Sequence, residues 1–179
     1  DTENIDCLKR LKSISLIADS ITDISPVSGL IALETIELGY NNIENVSPIS
    51  MLIELQSVAL HDNEKISSAE PLRGLRKLWS ISLSGTNSID LNVFVGMPIK
   101  TMHLVSITNA DYSVLTKLEQ LDYLEISCDD DIFQTVKQLK SLTRLRLHAD
   151  ALSSIEGIEA LTNLKSLDLL AYNLNGISP

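Results

Sequence analysis

Ser82, His103 and Glu125 follow one another at intervals of 21 and 22 residues, in nucleophile–base–acid order. His61, His103 and His148 offer imidazoles of the kind that bind zinc, and Cys7 and Cys128 are the only thiols. Asp129-Asp130-Asp131 is a short acidic run beside Cys128. Tyr123, Arg144 and Arg146 are the residue types most enriched at protein-binding hot spots. Whether any of these groups meet depends on the elements that place them.

Those elements are set by a repeat. Leu11, Ile14, Leu16 recurs as Leu33, Ile36, Leu38, then Leu55, Val58, Leu60, then Leu78, Ile81, Leu83. It continues as Ile99, Met102, Leu104, as Leu121, Leu124, Ile126, as Leu142, Leu145, Leu147, and as Leu164, Leu167, Leu169. The starts are 22, 22, 23, 21, 22, 21 and 22 residues apart. Within each copy apolar and polar residues alternate, the period of a strand with one buried face. A second apolar set follows about ten residues on, for example Ile21, Ile24, Val27 and Leu30. No single copy buries both sets, so the copies must stack around a shared core, with their strands paired in parallel about 4.8 Å apart. Ser25-Pro26, Ser47-Pro48, Glu70-Pro71 and Ser178-Pro179 share one phase and predict short helical turns on the convex side. Asn41 and Asn63 stand where an amide bonds the turn after the strand, and Asp19, Thr86, Ile107, Asp129, Asp150 and Tyr172 fill that column elsewhere. The stretch 87–98 lacks the Ser-Pro signal and reads as irregular, while 129–139 predicts a longer convex helix.

The run Ile21-Thr22-Asp23-Ile24-Ser25-Pro26-Val27-Ser28-Gly29-Leu30 resembles the 22-residue leucine-rich repeat of the bacterial internalins and is similar to that of a protein-phosphatase regulatory subunit. The resemblance covers nearly the whole chain and implies a right-handed α/β solenoid of eight repeats with a concave parallel sheet. It also implies binding of a protein ligand through that face, as internalins do with host receptors. The reading is a single leucine-rich-repeat domain over 1–179, taken as a window of a longer protein.

Register places the exposed residues in rows. One runs Ser13, Thr35, Ser57, Ser80, Thr101, Tyr123, Arg144, Ser166, and the next Ser15, Glu37, Ala59, Ser82, His103, Glu125, Arg146, Asp168. A third runs Ile17, Gly39, His61, Ser84, Val105, Ser127, His148, Leu170. Small residues dominate the first half. The candidate protein-binding residues are therefore His103, Tyr123, Glu125, Arg144, Arg146, His148 and Asp168, with Tyr40 and His61 further towards the N-terminus. The same rows offer a plainer account, in which Arg146 pairs with Glu125 and Asp168 and Arg144 lies against Tyr123.

The catalytic and metal readings weaken on this frame. Ser82, His103 and Glu125 are row neighbours about 5 Å apart, but on an open, wet sheet whose strand amides are engaged, leaving no oxyanion donors. The histidines fall on alternate strands, about 10 Å apart, too far for one zinc, and read as exposed surface groups. Cys7 and Cys128 lie five coils apart, about 24 Å, beyond disulfide reach of about 7 Å. The acidic run lacks the spacing and glycine of a calcium loop, and no glycine-rich phosphate loop occurs.

Composition narrows the partners. A net charge of −10 repels phosphate backbones and anionic lipid, and no apolar run approaches the roughly 20 residues that span a bilayer. The expectation is a monomeric, non-enzymatic protein-recognition module without cofactor or metal, either a surface adhesin or an intracellular scaffold. A structural spacer is the alternative, and a serine hydrolase the remote one. The compartment stays open between bacterial surface and cytoplasm, with unpaired thiols tilting towards the cytoplasm.

Overall fold

A computed structural model describes residues 8–18, 20–87, 89–107 and 109–170. Eight parallel strands form one sheet in chain order: β1 (Ser13–Ser15), β2 (Thr35–Glu37), β3 (Ser57–Ala59), β4 (Ser80–Ser82), β5 (Thr101–Leu104), β6 (Tyr123–Asp129), β7 (Arg144–Ala151) and β8 (Ser166–Leu170). Register follows the repeat, with Ile14, Ile36, Val58, Ile81, Met102, Leu124, Leu145 and Leu167 aligned from strand to strand. Their side chains point inward and, from Ile36 to Leu145, are essentially fully buried. Burying a side chain of this size stabilises by roughly 1.5–3 kcal/mol, so a pattern repeated in every coil dominates the fold. The chain is a leucine-rich-repeat solenoid.

The opposite side of the coil is built from short 3₁₀ turns. Those at Ser25–Gly29, Ser47–Ile49 and Glu70–Leu72 carry proline near their start. The stretch that lacks the Ser-Pro signal still carries a 3₁₀ turn, at Leu91–Phe94, which buries Leu91, Val93 and Phe94 but is flanked by extended residues at both ends, unlike the proline-bearing turns. Its organising feature is the Asp90 side chain, which accepts from the Asn92 backbone N–H at 2.9 Å. The same column supplies a cap in other coils: Asp23 to Ser25, Asn45 to Ser47, Ser68 to Glu70, Asp111 to Ser113 and Ser154 to Glu156. Proline is thus dispensable because a side-chain oxygen two residues upstream of the capped N–H already orients the turn. In the sixth coil the expected helix is α1 (Asp130–Val136), capped by Asp129 on the Ile132 N–H at 2.8 Å and burying Phe133 and Val136.

The strands end in two ways. In the first five coils the residue following the strand's third outward position adopts positive φ: Ala18, Tyr40, Asp62, Gly85 and Ser106, at 55–68°. Behind it, Asn41 and Asn63 act as buried plugs. The Asn63 amide oxygen accepts from the Ile43 N–H at 2.9 Å, and its nitrogen donates to the Leu38 and Leu60 carbonyls at 2.8 and 3.0 Å. Asn41 does the same one coil earlier, and Thr86 continues the column with a 2.6 Å bond to the Leu83 carbonyl. In coils six and seven this turn is missing and the strands run on, to Asp129 and Ala151. Asp19, Tyr172 and the Ser178-Pro179 turn of the sequence reading lie outside the described residues.

Candidate functional site

Seven of the nine candidate residues come together on the outward face of β5 to β8, around one carboxylate. Glu125 lies mid-strand on β6, between His103 of β5 and Arg146 of β7. Its Oε2 accepts from His103 Nδ1 at 2.8 Å and, more weakly, from the Tyr123 hydroxyl at 3.4 Å. Its Oε1 accepts from His148 Nε2 at 2.9 Å, with Arg146 Nη1 at 3.8 Å. The Glu125 side chain is 16 % exposed, so its charge is largely withdrawn from water. Burial pushes the carboxyl up, but the His148 and His103 hydrogen bonds, with the His103 and Arg146 charges, outweigh it and hold it below the ordinary range.

The network extends outward on both flanks. Arg146 Nε donates to Asp168 Oδ2 at 2.7 Å, the pairing expected from the row. Arg144 stands 5.0 Å above the Tyr123 ring, also as expected, and its Nη2 donates to Asp122 Oδ2 at 3.1 Å. Asp122 lies just before the strand, outside the exposed rows that register predicts. Thr143 holds it first, at 2.6 Å, and that bond, helped by Arg144, lowers its carboxyl below the ordinary value. His103 meets the Tyr123 ring edge-on at 5.2 Å. Burial raises the Tyr123 phenol, and the Glu125 charge adds to this.

His103 and His148 are not lone surface groups: both are about 30 % exposed and both bind Glu125, because a mid-strand carboxylate reaches one neighbour in its own row and another on the diagonal. The Ser82–His103–Glu125 row is only half connected. The His–Glu bond forms, but Ser82 makes no hydrogen bond to His103 among the described residues. Tyr40 and His61 form a separate pair, rings edge-on at 5.1 Å. His61 lies flat against Gly39, where any Cβ would overlap its ring.

A shallow trough of about 470 Å³ joins the two clusters. Tyr40 and His61 border it at one end, His103, Glu125 and His148 at the other, and Ala59, Ser82, Ser84 and Gly85 form its floor. Small residues on β3 and β4 open this space, and bulky ones on either side close it.

The remaining candidates resolve into structural parts. Cys128 is buried, and burial first, then Asp129 and Asp130, push its thiol up to about 12, which makes it a poor nucleophile. Cys7 lies outside the described residues. Asp129 caps α1, and Asp130 accepts from the Ser153 N–H at 2.9 Å and hydroxyl at 2.7 Å. Among the described residues no three His, Cys, Asp or Glu side chains are arranged to hold a metal, and no helix is long and apolar enough to cross a membrane.

Comparison with solved structures places this architecture among bacterial leucine-rich-repeat proteins. Internalin C2 of Listeria monocytogenes superposes with a TM-score of 0.71 at 25 % identity, over 93 % of this chain and 74 % of that one. A leucine-rich-repeat protein of Leptospira interrogans gives 0.69 at 24 % identity, over 94 % of this chain and 45 % of that one. A second Listeria monocytogenes internalin, internalin F, gives 0.51 at 20 % identity, over 90 % and 62 %. The chain therefore spans less than two thirds of the latter two proteins. No family model matches the sequence, and no curated protein matches it either.

Proposed function

We propose that this internalin-like leucine-rich-repeat chain is a non-catalytic recognition module that binds a protein ligand through the concave face of its sheet. The observation that carries the reading is the trough itself: an indented, small-floored surface bordered by Tyr40 and His61 at one end and by the Glu125 cluster at the other. Aromatic anchors around a floor that lets a partner backbone approach are what a protein interface requires. The half-connected Ser82 row favours binding over hydrolysis, as do the Leu83 and Gly85 amides beside it, which are already bonded to the His103 and Val105 carbonyls.

The test is to fill the trough. Ser82→Trp places a large ring on its floor, and Ser67→Trp makes the same change on the exposed far side. Proteins captured by the parent chain and by the Ser67 variant should be lost with Ser82→Trp. Equal capture by all three removes the concave-face reading. A structural spacer is the second reading, favoured by one observation: Arg144 and Arg146 are already paired within the chain. It predicts that no substitution on this face alters capture.

A further inference from the structure

The two halves of the sheet face differ in what their charges are bonded to. On β6 to β8, Arg144 is paired with Asp122 and Arg146 with Asp168 and Glu125, so both cations and all three carboxylates already have counter-charges within the chain. On the outward rows of β1 to β5 and the single left-handed residue that follows each, the charged side chains among the described residues are Glu37 and Asp62, and Lys65, three residues beyond Asp62, is the nearest base in sequence. Neither carboxylate has a hydrogen-bond or ion-pair partner among the described residues.

Asp62 is the better placed of the two. It borders the trough, folded over Gly85, where a Cβ would collide with its carboxylate. Tyr40 occupies the same turn position one coil earlier, 59 % exposed, with the Tyr40 N–H bonded to the His61 carbonyl at 2.9 Å. Both residues stand at left-handed φ, 56° and 55°, so the two turns present their side chains side by side at the rim. Coil spacing separates them by about 5 Å. An aromatic ring beside an unpaired carboxylate, above a floor of Ala59, Ser82 and Ser84, matches a long side chain that ends in a cation.

We infer that the trough receives a lysine or arginine side chain from a basic segment of the protein partner, its charged end set between the Asp62 carboxylate and the Tyr40 ring. This rests on the concave-face reading above and gives the partner its chemistry. The net charge of −10 would draw any cationic peptide weakly, so the test must separate a site from that diffuse field.

The probe is a fluorescein-labelled eight-residue peptide of glycine and arginine, with its citrulline counterpart, titrated by anisotropy at about 150 mM salt, where a Debye length of about 8 Å suppresses distant attraction. The arginine peptide should bind at least ten-fold tighter than the citrulline peptide. Asp62→Asn should weaken it at least five-fold, Tyr40→Ala about three-fold, and Glu156→Gln, the same charge change between β7 and β8, less than two-fold. Asparagine tolerates left-handed φ, so Asp62→Asn should keep its thermal midpoint. Equal effects of Asp62→Asn and Glu156→Gln, or no preference for arginine over citrulline, would overturn the inference. If that happens while Ser82→Trp still abolishes protein capture, the cation pocket alone fails. If Ser82→Trp is also silent, the concave-face reading fails with it.

Discussion

Coils one to five and coils six to eight use one core and two different ways of finishing a strand. In the first group three- or four-residue strands stop at a left-handed turn, and buried Asn41, Asn63 and Thr86 tie the backbone together behind them. In the second, β6 and β7 run on for seven and eight residues, and ionic and aromatic side chains link the outer face. Satisfying polar groups inside the coil leaves the first face free to carry small residues and unpaired carboxylates. Satisfying them on the outside consumes the groups that would otherwise meet a partner.

The contrast breaks most visibly at Asn63. Replacing it with Leu strands the Ile43 N–H and the Leu60 carbonyl in the core, at roughly 1–3 kcal/mol for each group left unpaired, and leaves the Leu38 carbonyl only its weaker Asn41 donor. A loss of about 3–5 kcal/mol in urea unfolding is expected, and a loss below about 1 kcal/mol would mean that the plug is not what holds the first five coils together.

Glu125 is the counterpart on the outer face. Glu125→Ala leaves two histidine donors without their shared acceptor, and should cost about 1–3 kcal/mol. Because the folded carboxyl lies below its ordinary value of 4.5, its contribution is complete above that value and is lost as pH falls through the lower folded value. Glu125→Gln should therefore flatten the acid limb of a stability–pH profile measured from pH 5 downwards. An unchanged limb would show that the cluster does not stabilise the fold.

Gly39→Ala sharpens the comparison within the first group. The new methyl must displace the His61 ring, at about 1–2 kcal/mol. His61→Ala in the same chain should restore most of that loss, so a double-mutant cycle that shows strict additivity refutes the contact. The smallest effect belongs to Arg144→Ala. Its ion pair and ring contact are half exposed, and thermal unfolding should register no more than about 1 kcal/mol.

Neighbours across the sheet were readable wherever they share a row. Arg146 beside Asp168 and Arg144 over Tyr123 follow from register alone, since parallel strands set equal repeat positions side by side. Groups off the rows were not. Asp122 precedes the strand, His148 reaches Glu125 on a diagonal, and the column of capping oxygens from Asp23 to Ser154 lies on the far side of the coil, where Asp, Asn and Ser share one role and proline is the more conspicuous signal.

The amino-acid order by itself settled the period, the inward leucines and the rows, because a buried strand face demands alternation and a stacked coil demands a constant stride. Only the folded chain decided which row neighbours bond, which carboxylates remain without a counter-charge, and where the left-handed turns stop. Those outcomes depend on side-chain reach and on the termination of each strand, and spacing along the chain encodes neither.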